Sequence, residues 1–585
     1  MHRPPGTESP EPEGQQDTLP PMIHLPIVDR ELRVACRRPS FFRARMWAVM
    51  GTLLMTGILL GVYALTTRGG GGFGVPVGRM LFETFKWLSF LGASFAGVIL
   101  TADCLSDEKR EGTLGLLFLT DLRSYDVVLG KVATHALQSV YAFLAAFPVV
   151  GTCFLFGGVT GSEFFQIMVV LLVTLFLSLS VGALVSACNR ETARTMTLTL
   201  AIMLGLILGL PFLDSWLGKL LGGSGSGWLI RFSPAYALLE AGSSTGPRFE
   251  QNVLCLAGLA LAFLTGSCLI LPRTWQAGSE PRRKGPKGSV LATSDPSARP
   301  PLPTPSRAIL NREPTQWLAG RLHRPGPVVW GATLLTLAGM IIALTLRRSN
   351  PAGGVDATAQ LVAWLLTVFV RFWLVLHASR FWTDARSSGA FELLLVTPLR
   401  PRDLIAGQWR ALCRTFLPVV LVVTLIIAGV GYLQMLDLMA VNRAALGGAA
   451  TGAANAMSVE EVDRMLNEIR LQHLTSLGFN IVQQFTSLWV LGWMAIWMGM
   501  VTQRVQVAVA KTLIFADFLP MLAGILLELL LSILTQGRFR SGIVGPPMIT
   551  GFVALMIDGI LTWVAYKRAH ARVHALAAGP TNATA

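Results

Sequence analysis

With 585 residues, 52% hydrophobic and only 14% charged, the chain falls well below the roughly 25% charge of soluble globular domains, and that excludes a soluble enzyme or binding module. The formal net charge of +15 does not point to nucleic acid, because Lys and Arg gather beside apolar segments and no basic run with interleaved aromatics lies elsewhere. Composition therefore predicts an all-α polytopic membrane protein whose solvent is a lipid bilayer.

Residues 1–25 hold Pro, Gly, Glu and Gln with little apolar content, too little to offset chain entropy, and are expected to stay disordered. From 26 to 45, apolar residues alternate with Arg30, Glu31, Arg33, Arg37, Arg38, Arg43 and Arg45, the pattern of an interfacial helix with its cations at anionic headgroups. This lead-in is too long and too polar for a cleaved signal peptide. Crossing a hydrocarbon core of about 30 Å takes about twenty helical residues. Apolar segments of that kind fall near 46–66, 84–105, 132–157, 164–188, 195–214 and 251–272. They recur near 328–346, 360–380, 409–433, 479–502, 512–534 and 546–566. The predicted architecture is about twelve transmembrane helices in two six-helix halves, 26–276 and 308–572. A Pro-, Gly- and Arg-rich linker at 277–307 joins them, and a flexible tail follows at 573–585. Asn311 to Arg324 mirrors the basic lead-in of the first half and predicts a second interfacial helix.

Two outer loops carry patterns of their own. The loop at 214–250 holds Trp216, Trp228 and Phe232-Ser233-Pro234-Ala235-Tyr236, suited to short re-entrant helices at the membrane interface. In the loop at 437–478, Ser458-Val459-Glu460-Glu461 has capping-box form. Val462, Met465, Leu466 and Ile469 follow at helical spacing and predict an amphipathic outer helix.

Between the second and third spans the apolar run is interrupted by Asp107 to Lys131, DEKREGTLGLLFLTDLRSYDVVLGK. At an offset of 277, without a gap, Asp384 to Gln408 reads DARSSGAFELLLVTPLRPRDLIAGQ. The two share Asp107/Asp384, Gly112/Gly389, Leu116/Leu393, Leu117/Leu394, Thr120/Thr397, Arg123/Arg400 and Asp126/Asp403, which predicts an internal duplication. Each copy is expected to form a short amphipathic helix. Glu108, Lys109, Arg110 and Glu111 would face a partner while Leu114, Leu116, Leu117 and Leu119 seat the helix on the membrane spans. The alternative is a solvated loop whose charges only set topology; the gapless second copy argues against it.

Glu108-Lys109-Arg110-Glu111-Gly112-Thr113-Leu114, with Leu116-Leu117, Thr120, Leu122 and Gly130-Lys131, resembles the loop between the second and third helices of type 2 exporter permeases of the ABC transporter family. The family pattern is E-[RK]-x-x-G-T-L-x-x-L-L-x-[ST]-P-L, ending in G-K. The resemblance implies a coupling helix that docks on a separate ATP-binding-cassette ATPase, in two copies. ATP and Mg would bind to that partner, and this chain would hold no cofactor. It assigns coupling roles to Glu108, Lys109, Arg110, Glu111, Gly112 and Thr113 in the first copy, and to Arg386, Gly389, Arg400 and Asp403 in the second. The first copy departs from the pattern at Asp121, where Pro is usual; the second has Pro398 but carries Ala385, Ser387 and Ala390 at charged and Thr positions.

The cations flanking the spans fall mainly on one side, so the positive-inside rule places both termini, the linker and both elements in the cytosol, with a bacterial inner membrane as the expected setting. GxxxxGK[ST], HExxH and GxSxG are absent, so the chain is not expected to hydrolyse ATP or act as an enzyme. A membrane-embedded enzyme and a non-transporting scaffold that keeps the permease fold remain the alternatives. The seven scattered cysteines, lacking CxxC or His at ligand spacing, read as free thiols with no metal. Inside the spans, Arg371 and Asp558 sit at matched depth and are expected to pair, because an isolated charge at mid-membrane costs about 2.5 to 3.5 kcal/mol. His135, with Gln138 and Tyr141 one helical turn apart, marks a further intramembrane polar position. Asp103, Asp517 and Glu528 are placed nearer span ends, in reach of water.

Overall fold

The computed structural model describes residues 39–68, 77–119, 123–211, 227–242, 247–274, 314–322, 357–397, 399–452, 459–520 and 546–577, with a few isolated positions between them. The tail at 1–25, the linker at 277–307, most of the seventh span and Glu528 lie outside those residues. Every regular element among the described residues is helical, and six helices are long and apolar enough to cross a membrane.

The helices of the first half are α1 (Pro39–Arg68), α2 (Val77–Ala96, continued by a π turn, Gly97–Thr101), α3 (Ser106–Glu111), α4 (Thr113–Phe118) and α5 (Ser124–Leu155). They are followed by α6 (Gly161–Cys188), α7 (Thr192–Leu204, continued by a π turn, Gly205–Gly209), α8 (Pro234–Glu240) and α9 (Pro247–Thr274). The basic lead-in and the first span are not separate: α1 is unbroken from Pro39, because no Gly or Pro intervenes between Pro39 and Gly51. The central helix is α6, apolar on every face and packed against α9, α2 and α5. It starts where Thr160 accepts a hydrogen bond from the Glu163 amide (3.3 Å) and ends at extended Asn189.

Lipid removes the hydrophobic drive between helices, so close contact depends on small residues and buried hydrogen bonds. At the α2–α6 crossing, the Gly97 amide donates to Ser178 Oγ (2.8 Å) and Thr101 Oγ1 donates to the Leu179 carbonyl (3.0 Å). A Cβ on Gly182 would lie 2.7 Å from the Gly97 carbonyl oxygen, so only glycine permits this approach. The predicted re-entrant segment is a 3₁₀ turn, Leu229–Phe232, followed by α8. Buried Ser233 donates to the Ile207 carbonyl (2.8 Å), a backbone group inside the second π turn.

The second half contains α10 (Pro314–Leu322), α11 (Ala357–Ser387), α12 (Ala390–Val396), α13 (Pro401–Gly452), α14 (Val459–Val501), α15 (Val505–Leu513, continued by a π turn, Ile514–Phe518) and α16 (Pro546–Ala577). The predicted second interfacial helix is α10, which packs on α13. The outer helix predicted from Ser458 onward is present as the first part of α14. From Val459 the chain continues as α14 without a break into the tenth span, because nothing in the sequence there terminates a helix. Ser458 itself lies outside the described residues. At 52 residues and about 1.5 Å per residue, α13 is about 78 Å long, far more than a bilayer core of about 30 Å requires. The first half has no counterpart to this outer extension, since α5 and α6 are joined by a five-residue turn.

The halves meet in one apolar cluster. Val98, Ala102, Ala193, Met196 and Leu200 of the first half are buried in the same cluster as residues of α11, α13, α14, α15 and α16, and α7 packs directly on α11.

Candidate functional site

The first copy of the repeated element is assembled at the ends of three spans. Ser186 Oγ of α6 accepts the amides of Leu105 (3.0 Å) and Ser106 (2.9 Å), which lack partners at a helix start. Asp107 and Glu108 then occupy the first turn of α3, where the helix dipole favours anions. Gly112, at φ 75°, ends α3 in the left-handed conformation, so the expected single helix is two short ones, α3 and α4.

Only part of the expected charge faces outward: Arg110 and Glu111 are exposed, whereas Glu108 and Lys109 turn inward. Lys109 is only 6% exposed; its Nζ donates to the Ala187 carbonyl at the end of α6 and to Thr274 Oγ1 at the end of α9 (3.0 Å). Glu108 accepts from Lys131 Nζ on α5 (2.7 Å) and from Thr113 Oγ1. Arg110 donates to Thr192 Oγ1 at the start of α7 (2.6 Å) and pairs with Asp107 (2.5 Å), while Thr192 in turn donates to Asp103 (2.9 Å). The physical cause is the set of open carbonyls and hydroxyls that the ends of α6, α7 and α9 present to this element. Of the four charged candidates, Glu111 is exposed without a partner role in this network, whereas Glu108, Lys109 and Arg110 tie the element to α5, α6, α7 and α9.

The leucines are corrected as well. Leu114 is buried, but Leu116 is 65% and Leu119 84% exposed; the Leu117 side chain lies outside the described set. Leu114 and the partly buried Phe118 seat the six-residue α4, and the other two leucines face away.

The second copy is built alike with different atoms. Gly389, at φ 70°, separates α11 from α12. Arg386, at the position of Lys109, donates from Nη1 to the Met500 carbonyl near the end of α14 (2.6 Å). Phe391 is buried at the position of Leu114, whereas Leu393 and Val396 are 73% and 86% exposed at the positions of Leu116 and Leu119. Gln408 stands where the first copy has Lys131; it accepts from Trp382 Nε1 and donates to the Ala378 carbonyl (2.8 Å). Arg400 and Asp403 are exposed at the start of α13, and the Asp403 carbonyl accepts from Thr315 Oγ1 of α10 (3.0 Å). Past the predicted end of the last span, burial and then His574 and Arg402 hold the His570 imidazole below its ordinary range.

Within the spans the Arg371–Asp558 pair is not formed. Arg371 Nη1 pairs with Asp517 Oδ1 (2.5 Å), and its Nη2 donates to Gln484 Oε1 (2.7 Å) and Ser487 Oγ (3.1 Å). Asp558, 4% exposed, accepts instead from Thr486 Oγ1 (3.0 Å). Asp517, expected near a span end, lies on the π turn that continues α15 from its start at Val505, with its side chain 32% exposed. His135 is half-buried on α5, and its Nδ1 has no partner among the described residues. Tyr141 is exposed beneath the Arg45 guanidinium, 5.8 Å from its ring centre. The six described cysteines are free thiols, and the described residues hold no cluster of metal-ligating side chains.

The sequence reading missed Ser186, Ala187, Thr192, Thr274 and Met500. Two of these act through backbone carbonyls, which no side-chain pattern announces; the hydroxyls at span ends were a usable signal. Residues 34–271 match the family model described as ABC-2 family transporter protein. No curated protein matches the chain.

Proposed function

We propose, from the match of residues 34–271 to the ABC-2 family transporter model, that the whole chain is the membrane-spanning permease of an ATP-driven exporter, two permease halves fused in one polypeptide. It is energised by a separate ATP-binding-cassette ATPase, two copies of which bind the elements at Ser106–Phe118 and Ala390–Val396 from the cytosol. The observation that carries this reading is the matched construction of the two elements. Each breaks at a left-handed glycine, fixes a cation on the end of a long central helix through Lys109 or Arg386, and leaves an apolar pair exposed. An element bonded to the ends of the spans can pass a partner's displacement to them as tilt, which a solvated loop cannot.

The contact offered to the ATPase is therefore mainly apolar, Leu116 and Leu119 in one copy and Leu393 and Val396 in the other, with Glu111, Arg400 and Asp403 at its margin. The test is co-expression of the tagged chain with an ATP-binding-cassette ATPase from an adjacent reading frame, followed by purification in nanodiscs. Wild type should retain the ATPase, and the quadruple change Leu116→Asp, Leu119→Asp, Leu393→Asp and Val396→Asp should release it while the chain stays folded. Retention of the ATPase by that variant at wild-type stoichiometry refutes this assignment of the docking surface.

A further inference from the structure

Four charged residues adjoin the apolar cluster in which the two halves meet. Arg380 of α11 lies between Ala378 and Phe381 of that cluster, and Arg504 directly precedes its Val505 at the start of α15. Asp103 directly follows its Ala102 at the end of the second span, and Glu191 stands two residues before its Ala193 on α7.

The four form two equivalent positions. Asp103 and Arg380 correspond at the 277 offset that relates the docking elements. Glu191 and Arg504 correspond at an offset of 313, which also relates the end of α6 at Cys188 to that of α14 at Val501, and the start of α7 at Thr192 to that of α15 at Val505. Both residues stand in extended conformation immediately before their helices, so the correspondence is one of structure as well as of spacing. At each position the first half carries a carboxylate and the second half a guanidinium.

One acid and one base meet across the halves. α7 packs directly on α11, and Arg380 Nη1 approaches Glu191 Oε2 to 4.0 Å while its Nε donates to Asp384 Oδ2 (2.8 Å). Of the cations that flank Glu191, Arg190 lies near Lys109 and Arg194 is exposed; Glu191 is the residue that meets Arg380. Repeated halves that meet as in a two-fold dimer use the same patch twice, which makes Arg504 the partner of Asp103. Asp103 accepts from Ser106 Oγ (2.6 Å) and Thr192 Oγ1 (2.9 Å), with Asp107 and Arg110 close by and of opposite effect, and Arg504 is exposed. That second pair is not in contact among the described residues, but its charges follow the same rule. An ion pair whose Glu191 is 55% exposed adds little to stability. Its effect is on the choice of partner. Two first halves would set Asp103 against Glu191 twice, and two second halves would set Arg380 against Arg504 twice.

We propose that these four charges make the face of each half specific for the unlike half, so that the first half accepts a second half and rejects another first half. The inference rests on the reading of the chain as two fused permease halves; it concerns which halves pair, and its test needs no ATPase. A protease site is placed in the linker at 277–307, the full chain is purified in detergent micelles with a tag on the first half, and the linker is then cut. The half-life of the second half on the affinity resin is read at about 0.05 M and at about 1 M NaCl, where charges are screened within about 3 Å. Wild-type halves should stay together. Glu191→Arg, which recreates the contact of two second halves, should shorten the half-life at least threefold at low salt, and Glu191→Gln should fall between. Arg504→Glu, which recreates the contact of two first halves, should act like Glu191→Arg. Arg380→Glu with Glu191→Arg should recover most of the loss, judged against Arg380→Glu alone because that change also sets a carboxylate beside Asp384. At 1 M NaCl the differences should largely vanish. An unchanged half-life in Glu191→Arg or Arg504→Glu, additive losses in the double variant, differences as large at 1 M as at low salt, or wild-type halves that part at once each overturns the proposal. ATPase retention by the uncut chain reports separately on the coupling assignment.

Discussion

Lys109 gives the sharpest test of how the first element is fastened. Lys109→Met removes two charge-assisted hydrogen bonds, each worth roughly 1.5 to 3 kcal/mol, but it also removes the cost of desolvating a buried ammonium, several kcal/mol after relaxation. The acceptors decide the remainder. The Ala187 carbonyl keeps a hydrogen bond from Thr274 Oγ1 (2.8 Å), so no buried backbone group is left bare. The net loss is then expected at about 1 kcal/mol. Lys109→Glu places a carboxylate against the carbonyl end of α6 with no donor. An unpaired buried charge at about 3 to 5 kcal/mol, added to a dipole term of about 0.3 to 1 kcal/mol, predicts severe destabilisation. Lys109→Arg should be close to neutral, because Arg386 already makes the equivalent contact to Met500. Equilibrium unfolding of the purified chain in mixed micelles, followed by circular dichroism, gives these differences directly. A Glu variant as stable as wild type, or a Met variant that loses more than about 3 kcal/mol, would show that the burial of Lys109 has been misjudged.

Other consequences are open to measurement. A double-mutant cycle between Arg371→Ala and Asp517→Ala should give a coupling free energy above about 1.5 kcal/mol, and larger than that between Arg371→Ala and Asp558→Ala; the reverse order would restore the pairing inferred from depth alone. Gly182→Ala should cost about 2 kcal/mol or more, since its Cβ would press on the Gly97 carbonyl and Thr101. Gly258→Ala, with nothing within 4 Å of its Cβ, should be neutral or gain up to about 1 kcal/mol of helix propensity, and equal effects at the two sites would contradict the α2–α6 crossing. A cysteine introduced by Val290→Cys in the linker should stay unlabelled by an impermeant maleimide in intact cells and react after permeabilisation; labelling in intact cells would invert the orientation.

The helices were legible because bilayer crossing demands about twenty apolar residues, a constraint written in composition. Their ends were not, since the helical state persists into polar sequence wherever nothing stops it. That is why α1 absorbs part of the basic lead-in and α14 the predicted outer helix. Gly112 and Gly389 were found by sequence as matched positions, and their left-handed φ supplies the reason glycine stands at both. The orientation of the charges beside them was illegible. A helix end buried among neighbours presents carbonyls that attract Lys109 and Arg386 inward, and which neighbour ends there is a fact of tertiary structure. The start of α15 was misplaced for the related reason, since the helix begins at Val505, seven residues before the predicted start.

The inward charges bear on how two identical ATPase subunits could serve two different elements. Read as outward-facing, Glu108, Lys109 and Arg110 against Ala385, Arg386 and Ser387 would make the copies unequal partners, the first dominating assembly. With Glu108 and Lys109 spent on α5, α6 and α9 in the first copy, and Arg386 spent on α14 in the second, much of the difference lies beneath the surface, half-exposed Arg110 being the exception. What remains exposed is similar, a leucine at 116 and 393 and an aliphatic side chain at 119 and 396. Variation inside each element then tunes how stiffly it is joined to its own half, while the face shown to the partner stays nearly constant. On this account Lys131→Gln, which imitates the second copy at Gln408 and breaks the contact to Glu108, should leave ATPase retention unchanged and lower only the fraction of ATP hydrolysis that responds to an added transport substrate. Loss of retention in that variant would mean that Glu108 is itself part of the docking face.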